Sequence, residues 1–411
     1  MAAAPDGMTG AAPPRRAPLP RVLWPLLFGN FVIGAGVMVV PGTLNEISES
    51  LQVPVAGAGQ LITVGGIVMC LGAPLLAAVV AGWDRRRLLA LSMLWYGLLH
   101  LASAAAPGLA SLLGLRALAL ISPAIFTPQA AACVGLLVPV EDRGRAITFV
   151  FVGWSVASVL GMPLGAYVGG TLGWRAAFVL VAVLAIASGV WVWRAMPDGV
   201  RPPALSRNAW AATFASRPLM LCVAVTVLSA AGQFVLLSYL APWFRQSLGT
   251  STEALSLLFM WFGAFGFIGN VLISRHIDRV GVDRTVLLSI ACMALTFIAW
   301  PLASLGLLMA ALVLVPWGLG CFASNSAQQA RLVGIAPGLA SASIALNSSA
   351  LYAGQAIGAG GGGWLIVHTG YGLLHWAGLA AMLAAVGLSA LAARSAHKAR
   401  MAAMSASPAA R

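Results

Sequence analysis

Long, continuously apolar runs separated by short polar or basic turns recur along the whole chain. They occupy residues 22–44, 58–81, 88–106, 109–138, 146–171, 176–194, 218–241, 253–274, 285–304, 307–329, 340–366 and 375–393. Most reach the roughly 20 residues that a helix needs to cross a hydrocarbon core. Strands do not account for them, because membrane barrels read as alternating segments of about ten residues and open sheets leave backbone groups unpaired in lipid. The pattern predicts an all-α membrane protein with twelve transmembrane helices. The longest interval between runs, 195–217, is basic, carries three prolines and divides the runs six and six. The expected organisation is a disordered cytoplasmic tail at 1–20, a six-helix bundle at 21–194, a cytoplasmic linker at 195–217, a second bundle at 218–393 and a cytoplasmic tail at 394–411. Within the linker, 208–216 suits a short interfacial helix carrying Trp210 and Phe214.

Composition narrows the class further. The chain is 60% hydrophobic and only 8% charged, where soluble domains carry about a quarter charged residues. A net charge of +13 would suggest nucleic acid in a soluble protein, but here it follows from topology. With the amino terminus in the cytoplasm, 20 of the 23 basic residues fall on the cytoplasmic side, Arg175 and Arg245 fall outside, and Arg116 lies within a span. Both termini are therefore expected in the cytoplasm, and no nucleic-acid partner is needed. The cysteines, Cys70, Cys133, Cys222, Cys292 and Cys321, all sit in apolar runs without paired spacing, so they read as small buried hydrophobes. No phosphate-binding loop, metal-ligand cluster or nucleophile set is present. The sequence thus points away from an enzyme and implies neither cofactor nor metal.

The two halves repeat. Asp84-Arg85, after span 2, and Asp278-Arg279, after span 8, lie 194 residues apart. Gly161, Gly165 and Gly169 in span 5 recur as Gly354, Gly358 and Gly362 in span 11, offset by 193. Two landmarks agreeing to one residue mark an internal duplication, two similar bundles facing each other across a central cavity. Twelve spans as six plus six, the long central loop and the paired Asp-Arg turns resemble the major facilitator superfamily. Residues 72–89 (GAPLLAAVVAGWDRRRLL), 141–146 (EDRGRA) and 161–178 (GMPLGAYVGGTLGWRAAF) are similar to its bacterial drug and sugar efflux branch, which includes arabinose-efflux-type permeases. The resemblance implies the major facilitator fold in a bacterial inner membrane, a monomeric transporter embedded in the lipid bilayer, and protons as coupling ion. It also implies gating by Asp84, Arg85, Asp278 and Arg279, with Arg143 as partner.

The span 5 and span 11 glycines suit close helix packing, and Pro163, beside Gly161 and Gly165, would free a carbonyl and bend span 5. Arg116 lies seven residues into span 4, about 10 Å deep at 1.5 Å per residue. A charge at that depth is costly unless paired or hydrated; it either faces the cavity, the favoured reading, or snorkels outward. All ten acids lie in tails, in loops or at span ends, so no carboxylate sits at the bilayer centre to pair with it or to carry a proton. His100 is the most central titratable group. An unpaired cavity arginine would attract an anionic or strongly polar group. Asn30, Gln233, Asn325, Gln328 and Tyr352 complete the candidate substrate-binding set, as polar groups at membrane depth. The leading function is export of a small drug, sugar or metabolite by alternating access. The rivals are uptake or facilitated passage of an organic anion anchored by Arg116, and a non-transporting membrane sensor or scaffold.

Overall fold

The computed structural model describes residues 19–80, 82–139, 142–201 and 206–405. The tail expected to be disordered therefore lies outside the described residues as far as residue 18. Every regular element among the described residues is helical. The first half contains α1 (Leu23–Gly42), α2 (Leu44–Leu51), α3 (Val55–Val79), α4 (Arg85–Ala104), α5 (Leu109–Ala119), α6 (Ile121–Leu137), α7 (Arg143–Val156), α8 (Met162–Leu172) and α9 (Trp174–Ala195). After α10 (Arg207–Ala215), the helix anticipated in the linker, come α11 (Arg217–Leu237), α12 (Leu240–Leu248), α13 (Thr252–Val280), α14 (Val282–Ala299), α15 (Leu307–Ile335), α16 (Ala340–Thr369) and α17 (Leu374–Ser405).

These helices group into twelve membrane-length spans. Span 4 is α5 with α6, span 5 is α7 with α8, and the apolar stretch Pro337–Lys398 is broken at Gly370 into α16 and α17. Gly370 adopts φ +70°, a conformation side chains resist, and so ends the helix there. Inside span 5, Ala157–Gly161 forms a π-turn. Pro163 has no N–H to offer the carbonyl of Val159, and the helix widens at the turn that lacks its bond.

Three features differ from the sequence expectation. Spans 1 and 7 do not simply end at 44 and 241 but bend into the short elbows α2 and α12. The bends are alike: Thr43 has φ −116°, ψ 19°, and Tyr239 has φ −116°, ψ 17°. Each elbow ends on a left-handed residue, Gln52 and Gly249. The third difference is the carboxy-terminal segment, expected as a tail from 394, which continues as helix to Ser405. Its alanine-rich run has high intrinsic helix propensity.

The bundles meet along two seams, α3 against α16 and span 5 against α13. Glycines allow the approach: a Cβ on Gly66 would lie 2.8 Å from the Tyr352 carbonyl oxygen, and one on Gly263 2.8 Å from Val159 Cα. Leu71, Leu75, Leu172, Leu308 and Val367 are exposed, an apolar girdle that suits lipid.

Candidate functional site

Two small hydrogen-bond networks occupy the middle of the bundles, and the internal repeat relates them. In the first half, Asn30 of α1 donates to the Val150 carbonyl (3.4 Å) and accepts from the Thr127 hydroxyl of α6 (2.9 Å). The Trp154 indole of α7 donates to that hydroxyl at 3.3 Å. In the second half, Thr226 of α11 donates to Asn347 of α16 (2.6 Å), which donates to Asn325 of α15 (3.0 Å). The members pair off across the halves: Asn30 with Thr226, Thr127 with Asn325, Trp154 with Asn347. Each network ties the first, fourth and fifth spans of its half. Thr127, Trp154 and Asn325 are only partly buried.

Gln328 extends the second network, donating to the Cys222 carbonyl (2.8 Å) and to Thr226 (3.4 Å), while its buried Oε1 has no partner. Nearby, the buried Trp317 donates to Gln233 (3.3 Å) and is ringed by Phe262 and Phe297. Tyr352 is partly buried, and its backbone lies on the α3–α16 seam. Every side chain in these networks is an amide, a hydroxyl or an indole.

Arg116 stands apart from them. It is 2% exposed, and its two terminal nitrogens donate to the carbonyls of Gly36 (2.9 Å) and Val37 (3.1 Å) in α1. The reason lies four residues further on. Pro41 cannot give Val37 its helical hydrogen bond, and the guanidinium supplies the missing donor. In the other half the corresponding residues, Leu237 and Leu314, are both apolar. Beside Arg116, buried His100 donates to the Tyr96 carbonyl at 2.9 Å, and its ring meets Tyr96 edge-on.

At the end of the molecule where α1 begins, Asp84 caps α4 by accepting from the Arg87 N–H (3.3 Å) and also accepts from the Gly199 N–H (2.6 Å). Buried Arg85 donates to the carbonyls of Val80 and Trp83. These contacts fasten the turn to the start of the linker. The expected pairing with Arg143 is not formed: both Asp84 oxygens are engaged by backbone, and Arg143 is exposed at the start of α7, as are Asp278 and Arg279 at the end of α13. The second half instead buries Arg331 against Asp283 (2.6 Å) and Ser389.

The packing glycines sit at helix crossings. A Cβ on Gly161 would lie 2.8 Å from Ala35 Cα, whereas one on Gly165 would make ordinary contact with Val39. On α16, Gly354 and Gly358 lie against Ala231 and Val235 of α11. Among the described residues no three His, Cys, Asp or Glu side chains gather as metal ligands.

The model of the Major Facilitator Superfamily matches residues 26–359. The chain belongs to this superfamily. It is 28% identical to a probable sugar efflux transporter of Mannheimia succiniciproducens, over 88% of this chain and 91% of that one. It is 30% identical to a chloramphenicol resistance protein of Streptomyces lividans, over 83% and 88%. The solved structure of a D-xylose–proton symporter superposes with a TM-score of 0.71 at 17% identity, covering 89% of this chain and 96% of that one. The protein is thus a multi-pass membrane transporter of small molecules, with the two-bundle fold of its superfamily, and not an enzyme. Asn30, Asn325 and Gln328, candidates from the sequence, lie in these networks, and Thr127 and Thr226, which the sequence did not single out, join them there. The offset between the halves is 196 from Asn30 to Thr226 and 198 from Thr127 to Asn325, so the offsets of 193 and 194 read from the sequence landmarks reach neither.

Proposed function

We propose that this superfamily member exports a small uncharged solute of the drug, sugar or metabolite class across a bacterial inner membrane. It would do so by alternating access between its bundles, in exchange for protons and as a monomer. The observation that carries the substrate class is the chemistry of the paired networks. Asn30, Thr127 and Trp154 in the first half and Thr226, Asn325 and Asn347 in the second, with Gln233, Gln328 and Tyr352 as the other polar groups of the candidate set, are all neutral hydrogen-bonding groups. Such a set satisfies hydroxyls and carbonyls of a neutral ligand but offers a carboxylate or phosphate no counter-charge. Arg116, whose terminal nitrogens serve the α1 backbone, is a clamp between spans 1 and 4 in this reading, not an anion anchor. The two related names that mention sugar efflux and chloramphenicol resistance support the outward direction.

In this reading the termini and the exposed Arg143, Asp278 and Arg279 lie in the cytoplasm, which the basic turns support. Asp84 and Arg85 then form the hinge of a cytoplasmic gate, with Arg143, Asp278 and Arg279 as the groups that meet when it closes. The test is transport in everted membrane vesicles with an imposed pH gradient. Neutral solutes should accumulate, anionic analogues should not, and a protonophore should abolish the accumulation. Uptake of anions that disappears with Arg116→Lys would overturn the proposal.

A further inference from the structure

The ends of the bundles remote from the start of α1 are closed by the two elbows. Glu46 on α2 is ion-paired with Arg245 on α12, across the two halves, and Arg245 also donates to Thr252. Beside them the Tyr239 hydroxyl donates to the Ala359 carbonyl (2.8 Å), and its ring fits where Gly59 of the first half and Gly363 of the second lack side chains. Closure therefore buries a carboxylate. The Glu46 side chain is 11% exposed, and its second oxygen is enclosed without a hydrogen-bond partner. Few charges surround it. Glu49 is the other acid of its own elbow, α3 carries no charged residue and α12 brings only Arg245. Arg175, from α9, is held by Ser50 and the Ala106 carbonyl.

Taking the alternating-access reading as its basis, we propose that Glu46 and Arg245 form a charge-compensated catch on this remote gate. The gate closes when the Glu46 carboxylate is neutralised and opens when it is buried without compensation. Arg245 is then a positioning residue that acts through Glu46. The physical ground is the asymmetry of buried ion pairs: losing one partner leaves an uncompensated charge, whereas losing both is nearly neutral. Protonation substitutes for Arg245. In the closed state burial pushes the Glu46 carboxyl above the usual carboxylate range; Arg245 opposes the shift and Glu49 adds to it. A raised value in the closed state means that this state binds the proton more tightly than the open, hydrated one. Acidifying the remote compartment favours closure, and the effect fades as pH rises through the raised value.

Nitroxide labels at the exposed Ala110 and Leu305, on opposite bundles, would report the gap in proteoliposomes once the five native cysteines are replaced. No solute is needed, so failure here leaves the export reading untouched. In R245Q the open-to-closed ratio should rise roughly tenfold at neutral pH. The closed distance should return in R245K, in E46Q/R245Q and on acidification of R245Q. E46Q alone should stay closed, because Arg245 is 28% exposed and keeps its bond to Thr252, and it should lose the pH response of the parent protein. The last comparison also stands if R245Q does not assemble. An unchanged distance in R245Q, an opening that persists in E46Q/R245Q, or a pH response retained in E46Q would overturn the proposal.

Discussion

If Arg116 serves the carbonyl that Pro41 leaves free, the two residues are energetically coupled, and a double-mutant cycle measures the coupling. Arg116→Met removes the donors to Gly36 and Val37. Gly36 keeps its helical partner, the Val40 N–H, so the unmet group is the Val37 carbonyl. A buried unsatisfied acceptor costs about 1–3 kcal/mol, offset in part because a buried charge has also been removed. Pro41→Ala returns an N–H to Val37. In the parent protein that donor is nearly redundant, and in the Arg116→Met background it fills the vacancy. The expected coupling is about 1–2 kcal/mol, with P41A/R116M more stable than the two single changes predict. Unfolding in mixed micelles of rising dodecyl sulfate content, followed by tryptophan fluorescence, supplies the stabilities. Transport supplies the second readout: a clamp can be replaced by a repaired helix, whereas a substrate anchor cannot. Coupling indistinguishable from zero, or a double variant that regains stability but not transport, would refute the clamp.

Three further outcomes follow from the same geometry. Gly263→Val should abolish transport while leaving membrane insertion intact, because its Cβ would press on the backbone of Ser158 and Val159 at the seam; vesicle transport and membrane yield check it. Asp84→Ala removes a helix cap worth about 1 kcal/mol and the tie to Gly199, so limited proteolysis within 195–217 should quicken. Glu49→Gln removes a charge that raises the Glu46 carboxyl, so the pH response of the remote gate should move to lower pH in the nitroxide distance measurement.

The spans and the six-plus-six division were legible because lipid imposes long apolar runs and leaves basic turns between them, and those signals survive without any tertiary contact. The repeat was visible because Asp84-Arg85 and Asp278-Arg279, like the glycine triplets of spans 5 and 11, are short patterns that can be matched by residue type alone. What escaped was set by backbone. The elbows follow bends at Thr43 and Tyr239, one small and β-branched and the other aromatic, and it is their matching dihedral angles that reveal the relationship. A buried arginine suggests a carboxylate partner, but the partners of Arg116 are carbonyls. Counting four residues back from Pro41 would have named Val37 in advance. The binding networks were half legible, since no single offset reaches both: loops of unequal length shift the register by a few residues from one span to the next.

The departures from symmetry are as informative as the repeat. A duplicated chain begins with equivalent halves, so a polar group found in only one of them needs a cause beyond the fold. Arg116 and Pro41 are present together in the first half and absent together from the second, where Leu314 and Leu237 stand. An arginine selected to hold a ligand would have no reason to track a proline in another helix; one that repairs a proline's backbone defect would. The elbows differ similarly. Arg116 fastens the end of α1 just before α2, whereas α12 is held through Trp243 against Trp300, 4.7 Å between ring centroids, which in turn meets Trp317 of the candidate site. Apolar contact slides more readily than a bidentate charged hydrogen bond. If the remote gate opens as proposed, the jaw expected to move is α12, which carries Arg245 and whose start is tied by one neutral hydrogen bond from Tyr239.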